Sequence, residues 1–196
     1  MSWRKGPDGG RRGYHHGNLR EALIEAALKL ISEKGPAGFT FAEAARAAGV
    51  SPTAPYRHFR DRDALVADVA RRGFEQFAQV LTSAWDEGRP TPPAAFERLG
   101  RAYLGFARSE PAYFSAMFES GLDAAKHPEV RRAGDQAFEV LRAAAETLAE
   151  RQATQLEGRA IARQASGEGE EAPAPAAISH PPAVIEQLEV GRREVE

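Results

Sequence analysis

From Ser51 to His58 the chain reads SPTAPYRH, and its side chains are either small and stiff or able to bond an anion. Tyr56 and His58 can donate hydrogen bonds to phosphate oxygens without carrying a full charge. Arg57 can reach a phosphate or a guanine edge, and Thr53 and Ala54 are small enough to touch base edges or a thymine methyl. Ser51 can cap a helix whose first position, Pro52, needs no N–H partner. This is the chemistry of docking on a duplex rather than of making bonds. A catalytic reading would use His58 beside Asp61 and Asp63 as a general base. The sequence offers no nucleophile with an orienting partner, no glycine-rich phosphate loop and no ligands at metal spacing, so no catalytic residue, cofactor or metal site is assigned. His15 and His16 are adjacent but lack the further ligands that a closed metal site needs.

These residues need a scaffold, and the flanking pattern supplies one. Leu19, Leu23, Ala26, Ala27, Leu30 and Ile31 recur at helical spacing, with Asn18 as cap, Glu21 three residues on, and Gly35–Pro36 as the stop. Thr40 and Glu43 form the next capping pattern, and Gly49 ends that helix after a run of alanines. A third helix is expected over 52–59, with an irregular start because Pro55 forfeits a backbone bond and disfavours a helical Ala54. Asp61 or Asp63 opens a fourth, ending near Glu87. Further helices are expected from Ala94 to about Arg108, from Glu110–Pro111 through Phe118, and from about Val130 to Leu148. The chain therefore reads as all-α, with about seven helices and no convincing strand. Its organisation reads as a flexible basic arm (1–17), a helix-turn-helix domain (18–65), a helical regulatory and dimerisation domain (66–165) and a linker-like tail (166–196). Residues 151–165 could extend the last helix, and residues 184–190 could form a short terminal one.

Composition sets the class. The chain has 196 residues, 42% of them hydrophobic, and no cysteine. That is enough for a core, and it excludes disulfides and thiol chemistry. No apolar run approaches the roughly 20 residues that span a bilayer. The basic start lacks the apolar stretch of a secretory signal. The expectation is a cytoplasmic protein with no membrane partner. Residues 1–65 hold 11 Lys/Arg against 7 Asp/Glu, whereas 66–150 hold 10 against 13 and 151–196 hold 5 against 8. A basic front suits an anionic partner, although such an excess also occurs in proteins that bind none.

The stretch TFAEAARAAGVSPTAPYRHFRDRDAL closely resembles the helix-turn-helix of the tetracycline-repressor (TetR) family of bacterial transcriptional regulators. The family pattern falls here on Thr40, Gly49, Val50, Ser51, Tyr56, His58, Phe59, Arg62 and Leu65, with Arg62 where the family usually has lysine. GYHHGNLREALIEAALKLI also looks like the first helix of a subset of the family. The clear resemblance covers residues 14–70. It implies that Tyr56 and His58 contact phosphate and that Arg62 approaches it from the start of the fourth helix. It also implies that Pro52, Thr53, Ala54 and Arg57 lie on the recognition helix and that Thr40 and Ser51 sit beside the backbone. Arg11, Arg12, His15 and His16 could reach a minor groove or a flanking phosphate; the arm reads equally as disorder.

The resemblance further implies an N-terminal three-helix DNA-binding domain followed by a ligand-binding bundle. The expected partners are double-stranded DNA, a small apolar effector and a second copy in a homodimer. Candidate pocket residues are Phe77, Leu81, Phe96, Tyr103, Phe106, Phe114, Met117, Phe118 and Phe138. The same aromatic stripe also reads as ordinary core. The family usually ends in two well-patterned dimerisation helices; after Glu150 this chain is charged and proline-rich, which leaves the dimer geometry open. A different reading is a helical protein-interaction module with a vestigial helix-turn-helix.

Overall fold

The computed structural model describes residues 19–123 and 125–166. The basic arm, the Asn18 cap and the tail beyond Ser166 lie outside the described residues. Six α-helices and two 3-10 segments make up the described fold, which contains no strand. The order is α1 (Leu19–Lys34), α2 (Phe41–Ala47), a 3-10 turn (Ala54–Arg57), α3 (Arg62–Trp85), a second 3-10 turn (Asp86–Gly88), α4 (Pro92–Ser109), α5 (Pro111–Phe118) and α6 (Pro128–Ala165).

Local chemistry sets the boundaries. Gly35 takes φ 77° and donates its N–H to Ile31 O at 2.8 Å, closing α1. Asp61 starts α3 by accepting from the Ala64 N–H at 2.8 Å. Proline occupies the first position of both α4 and α5, where no N–H is needed. The principal departure from expectation is the segment after Gly49. It is one 3-10 turn over Ala54–Arg57 instead of a helix over 52–59. Pro55 has no N–H to return to Ser51. The turn instead closes through Ala54 N–H to Ser51 O (3.0 Å) and His58 N–H to Pro55 O (2.9 Å). At the end, where the sequence left 151–165 open, α6 continues through Ala165.

Residues up to Ala153 form one compact unit, and a second begins at Thr154. In the second unit the described residues are the last turns of α6 and Ser166, all exposed. The first unit holds two apolar clusters. One gathers Leu23, Ile24, Ala27, Phe39, Ala44, Phe59, Leu65, Val66 and Val69 around α1 and α2. The other gathers Phe74, Phe77, Leu81, Leu99, Phe106, Met117 and Ala137. Helix α3 supplies its first half to one and its second half to the other. A Cβ on Gly73 would lie 2.7 Å from Met117 Sδ, so glycine there lets α5 approach α3 closely.

An ionic cluster ties α1 to α3. Asp68 is only 6% exposed and accepts from Arg20 Nη2 at 2.9 Å and Arg71 Nη2 at 2.8 Å. Arg72 grips Glu21 with two bonds of 2.6 and 2.5 Å and brings Nε within 3.3 Å of Asp68 Oδ2. Burial pushes the Asp68 carboxyl up, but the bond from Arg71 and the charges of Arg20, Arg71 and Arg72 outweigh it and hold it below the usual range.

Candidate nucleic-acid interface

The candidate interface is built from α2, the turn after it and the start of α3. Thr40 and Glu43 close a reciprocal box: Thr40 Oγ1 accepts from the Glu43 N–H at 3.2 Å, and Glu43 Oε2 accepts from the Thr40 N–H at 2.8 Å. Lys34 Nζ reaches Glu43 Oε1 at 2.7 Å. That bond, with those from Thr40, pulls the Glu43 carboxyl down to about 2. At the far end of α2, Gly49 takes φ 70°. Its N–H bonds Arg46 O at 3.0 Å, and the Val50 N–H bonds Ala45 O at 2.9 Å. This pair of bonds is the Schellman arrangement, in which glycine accepts the left-handed backbone without a Cβ penalty.

The segment thus launched is anchored by two side chains. Pro55 and Phe59 are buried, and the Arg20 guanidinium lies 5.4 Å from the Phe59 ring centre. Between and before them Ser51, Pro52, Thr53, Tyr56, Arg57 and His58 are exposed, with Tyr56 at 62%. Ala54 is half-buried. Ser51 Oγ and Thr53 Oγ1 lie 3.3 Å apart, which steadies the turn. The Tyr56 ring meets Phe41 edge-on, with centroids 5.0 Å apart. Phe41 therefore sets where Tyr56 stands. Sequence reasoning missed it, because fourteen intervening residues and a turn leave no periodic signal. Thr40 is exposed at the start of α2, next to Phe41, which meets Tyr56.

Arg62 is placed differently. It is half-buried, its guanidinium 5.0 Å from the Phe39 ring centre, and Nη1 donates to Asp63 Oδ1 at 2.8 Å. Its Nε and Nη2 are buried with no hydrogen-bond partner among the described residues. Two further cations, Arg46 and Arg60, are exposed beside the turn; Arg60 Nε donates to Asp61 Oδ2 at 2.8 Å. Among the described residues no group of three or more His, Cys, Asp or Glu is arranged to hold a metal ion, and no helix is long and apolar enough to cross a membrane.

The candidate pocket residues of the rear half mostly pack on one another. Phe77, Leu81, Phe106 and Met117 are buried. Phe77 meets both Tyr103 and Phe106 at 5.1 Å, and Phe114 meets Phe118 at 4.6 Å. Phe118 and Phe138 lie 6.3 Å apart, and burial pushes the Tyr103 phenol up. Phe118 is 40% exposed at the edge of this cluster, and Phe96 stands equally exposed near the start of α4, outside it.

Residues 23–69 match the family described as bacterial regulatory proteins, tetR family. Residues 96–178 match the tetracyclin repressor-like C-terminal domain. The HTH-type transcriptional regulator BetI of Rhizobium meliloti (strain 1021) is 28% identical over 113 residues, 58% of this chain and 55% of that protein. The chain spans about half the length of the curated relatives it matches. A protein with unknown function from Rhodococcus sp. RHA1 is 32% identical, with a TM-score of 0.59 over 71% of this chain and 73% of that one. The TetR family transcriptional regulator PfmR from Thermus thermophilus shares the fold, with a TM-score of 0.57 at 22% identity over 72% of this chain and 80% of that one. A proline-braced turn behind a capped helix and family matches in both halves of the chain lead to one conclusion: the chain belongs to the tetR family of bacterial regulatory proteins.

Proposed function

We propose that this protein is a DNA-binding transcriptional regulator, a repressor that sits on a palindromic operator as a homodimer and is released by a small apolar effector. One observation carries the reading. Tyr56, Arg57 and His58 stand exposed on a turn whose neighbours Pro55 and Phe59 are buried. Three donors held outward by a rigid anchor lose little conformational freedom when they meet a phosphate backbone. Thr53 and Pro52 on the same turn are short enough to bring it close to base edges. Thr40 and Ser51 flank it. Arg62 would join the phosphate contacts by leaving Asp63 while staying on Phe39.

In a dimer, two such turns about 34–36 Å apart match successive major grooves of a palindrome. An effector that prefers another spacing would lower operator affinity. The rim of the aromatic cluster, with Tyr103, Phe114, Phe118 and Phe138 half-buried or exposed, is the part of the rear half open to such a molecule. No catalytic step is part of this function, and a cytoplasmic location fits it.

Selection of bound duplexes from a random pool tests specificity, and anisotropy of the selected duplex tests mechanism. Affinity is expected to fall steeply between about 50 and 200 mM salt, the log–log slope reporting about 0.9 per phosphate neutralised. No enriched sequence and no salt-dependent duplex binding would favour the protein-interaction module instead.

A further inference from the structure

A cleft of about 390 Å³ opens between the last turn of α1 and the corner where α4 gives way to α5. It is an open surface cleft rather than an enclosed cavity. Ile31 and Ser32 line it from α1; Ala107, Phe114, Ser115 and Glu119 line it from the opposite side. Of the nine pocket candidates only Phe114 borders it.

The chemistry of the walls is lopsided. Ile31, Ala107 and Phe114 offer an apolar floor. Glu119 brings an exposed carboxylate, steadied by the Ser115 hydroxyl, which donates to Oε2 at 2.5 Å. The C-terminal end of α1 adds the negative pole of its helix dipole. Lys34 Nζ is paired with Glu43 at 2.7 Å, whereas Arg108 keeps its charge and bonds only the Leu104 carbonyl at 3.1 Å. We infer that this cleft binds a small organic cation with an apolar body, the cationic head against Glu119 and the body on Phe114 and Ile31.

The position gives binding a consequence. Ile31 belongs to the cluster under the DNA-facing turn, and Phe114 packs against the rear cluster. A molecule touching both binds with an affinity that changes whenever α1 and α5 shift. By linkage, such a shift couples it to duplex affinity. The binding stands on the cleft alone; the coupling rests on the effector-responsive function proposed above.

Titration calorimetry with benzyltrimethylammonium, and with neutral 3-phenylpropanol as its uncharged counterpart, tests the inference. The cation is expected to bind the full chain. E119Q should weaken it about fivefold, the upper range for one exposed charge pair, and bring it level with the alcohol. S32Y, which fills the cleft from an exposed position, should abolish binding. Both variants should melt as the parent does. No heat from the cation at millimolar concentration, or one affinity across parent, E119Q and S32Y, overturns the site and leaves effector response elsewhere untouched. Binding that follows the expected pattern without altering duplex affinity supports the site and removes its coupling to DNA.

Discussion

Tyr56 does two jobs with two parts of its side chain. The ring edge is fixed by Phe41 at 5.0 Å, while the residue as a whole remains 62% exposed. Tyr56→Phe keeps the first part and deletes the hydroxyl. Duplex affinity is expected to fall about fivefold, the worth of roughly 1 kcal/mol for one hydrogen bond, on every sequence alike. The melting temperature should stay the same, and anisotropy on two unrelated duplexes checks the result. By residue type Tyr56 also fitted a core position in the sequence, as Phe59 did; the fold buries Phe59 and leaves Tyr56 exposed with Arg57 and His58. The setting of Arg62 was not legible. Its stacking partner, Phe39, lies before α2 in the chain, and only the folded backbone brings the two together.

Elements bounded by local bonds were the easiest to read. The Thr40–Glu43 box spans four residues, and the Gly49 stop needs only its own left-handed backbone. Thr40→Ala removes the acceptor for the Glu43 N–H and should cost about 1 kcal/mol in urea denaturation. Thr40→Ser should restore most of it. The segment after Gly49 was only half legible. Two prolines announced irregularity, yet the choice of a single 3-10 turn depends on seating Pro55 and Phe59 in a core assembled by α1 and α3. The far end of α6 shows the converse. Sparse apolar residues after Glu150 left the helix undecided, while good helix formers such as Ala, Arg, Gln and Glu carry it to Ala165.

For the whole molecule, the decisive group is Asp68, where α1 and α3 meet through three arginines. Neither its burial nor its partners were legible: Arg20 stands 48 positions away, and a lone Asp among Val66, Ala67 and Val69 breaks the apolar pattern instead of completing it. Its carboxyl titrates lower in the folded chain than in the unfolded one. The stabilisation it brings is therefore complete above about pH 4, the unfolded value, and drains away as pH falls through the depressed folded one. Asp68→Asn removes the carboxylate that Arg20, Arg71 and Arg72 share, although Glu21 still pairs with Arg72 and Glu75 with Arg71. It should cost about 2 kcal/mol at neutral pH, less than for a fully buried pair because the arginines are partly solvated. Melting temperatures of the variant should also fall less steeply in acid than those of the parent.

The shared helix α3 has a thermodynamic corollary. A cut after Leu65 would strip Val66 and Val69 from the first cluster, and melting the second would unravel the same rod. Scanning calorimetry of the folded unit should thus show one transition whose van't Hoff and calorimetric enthalpies coincide.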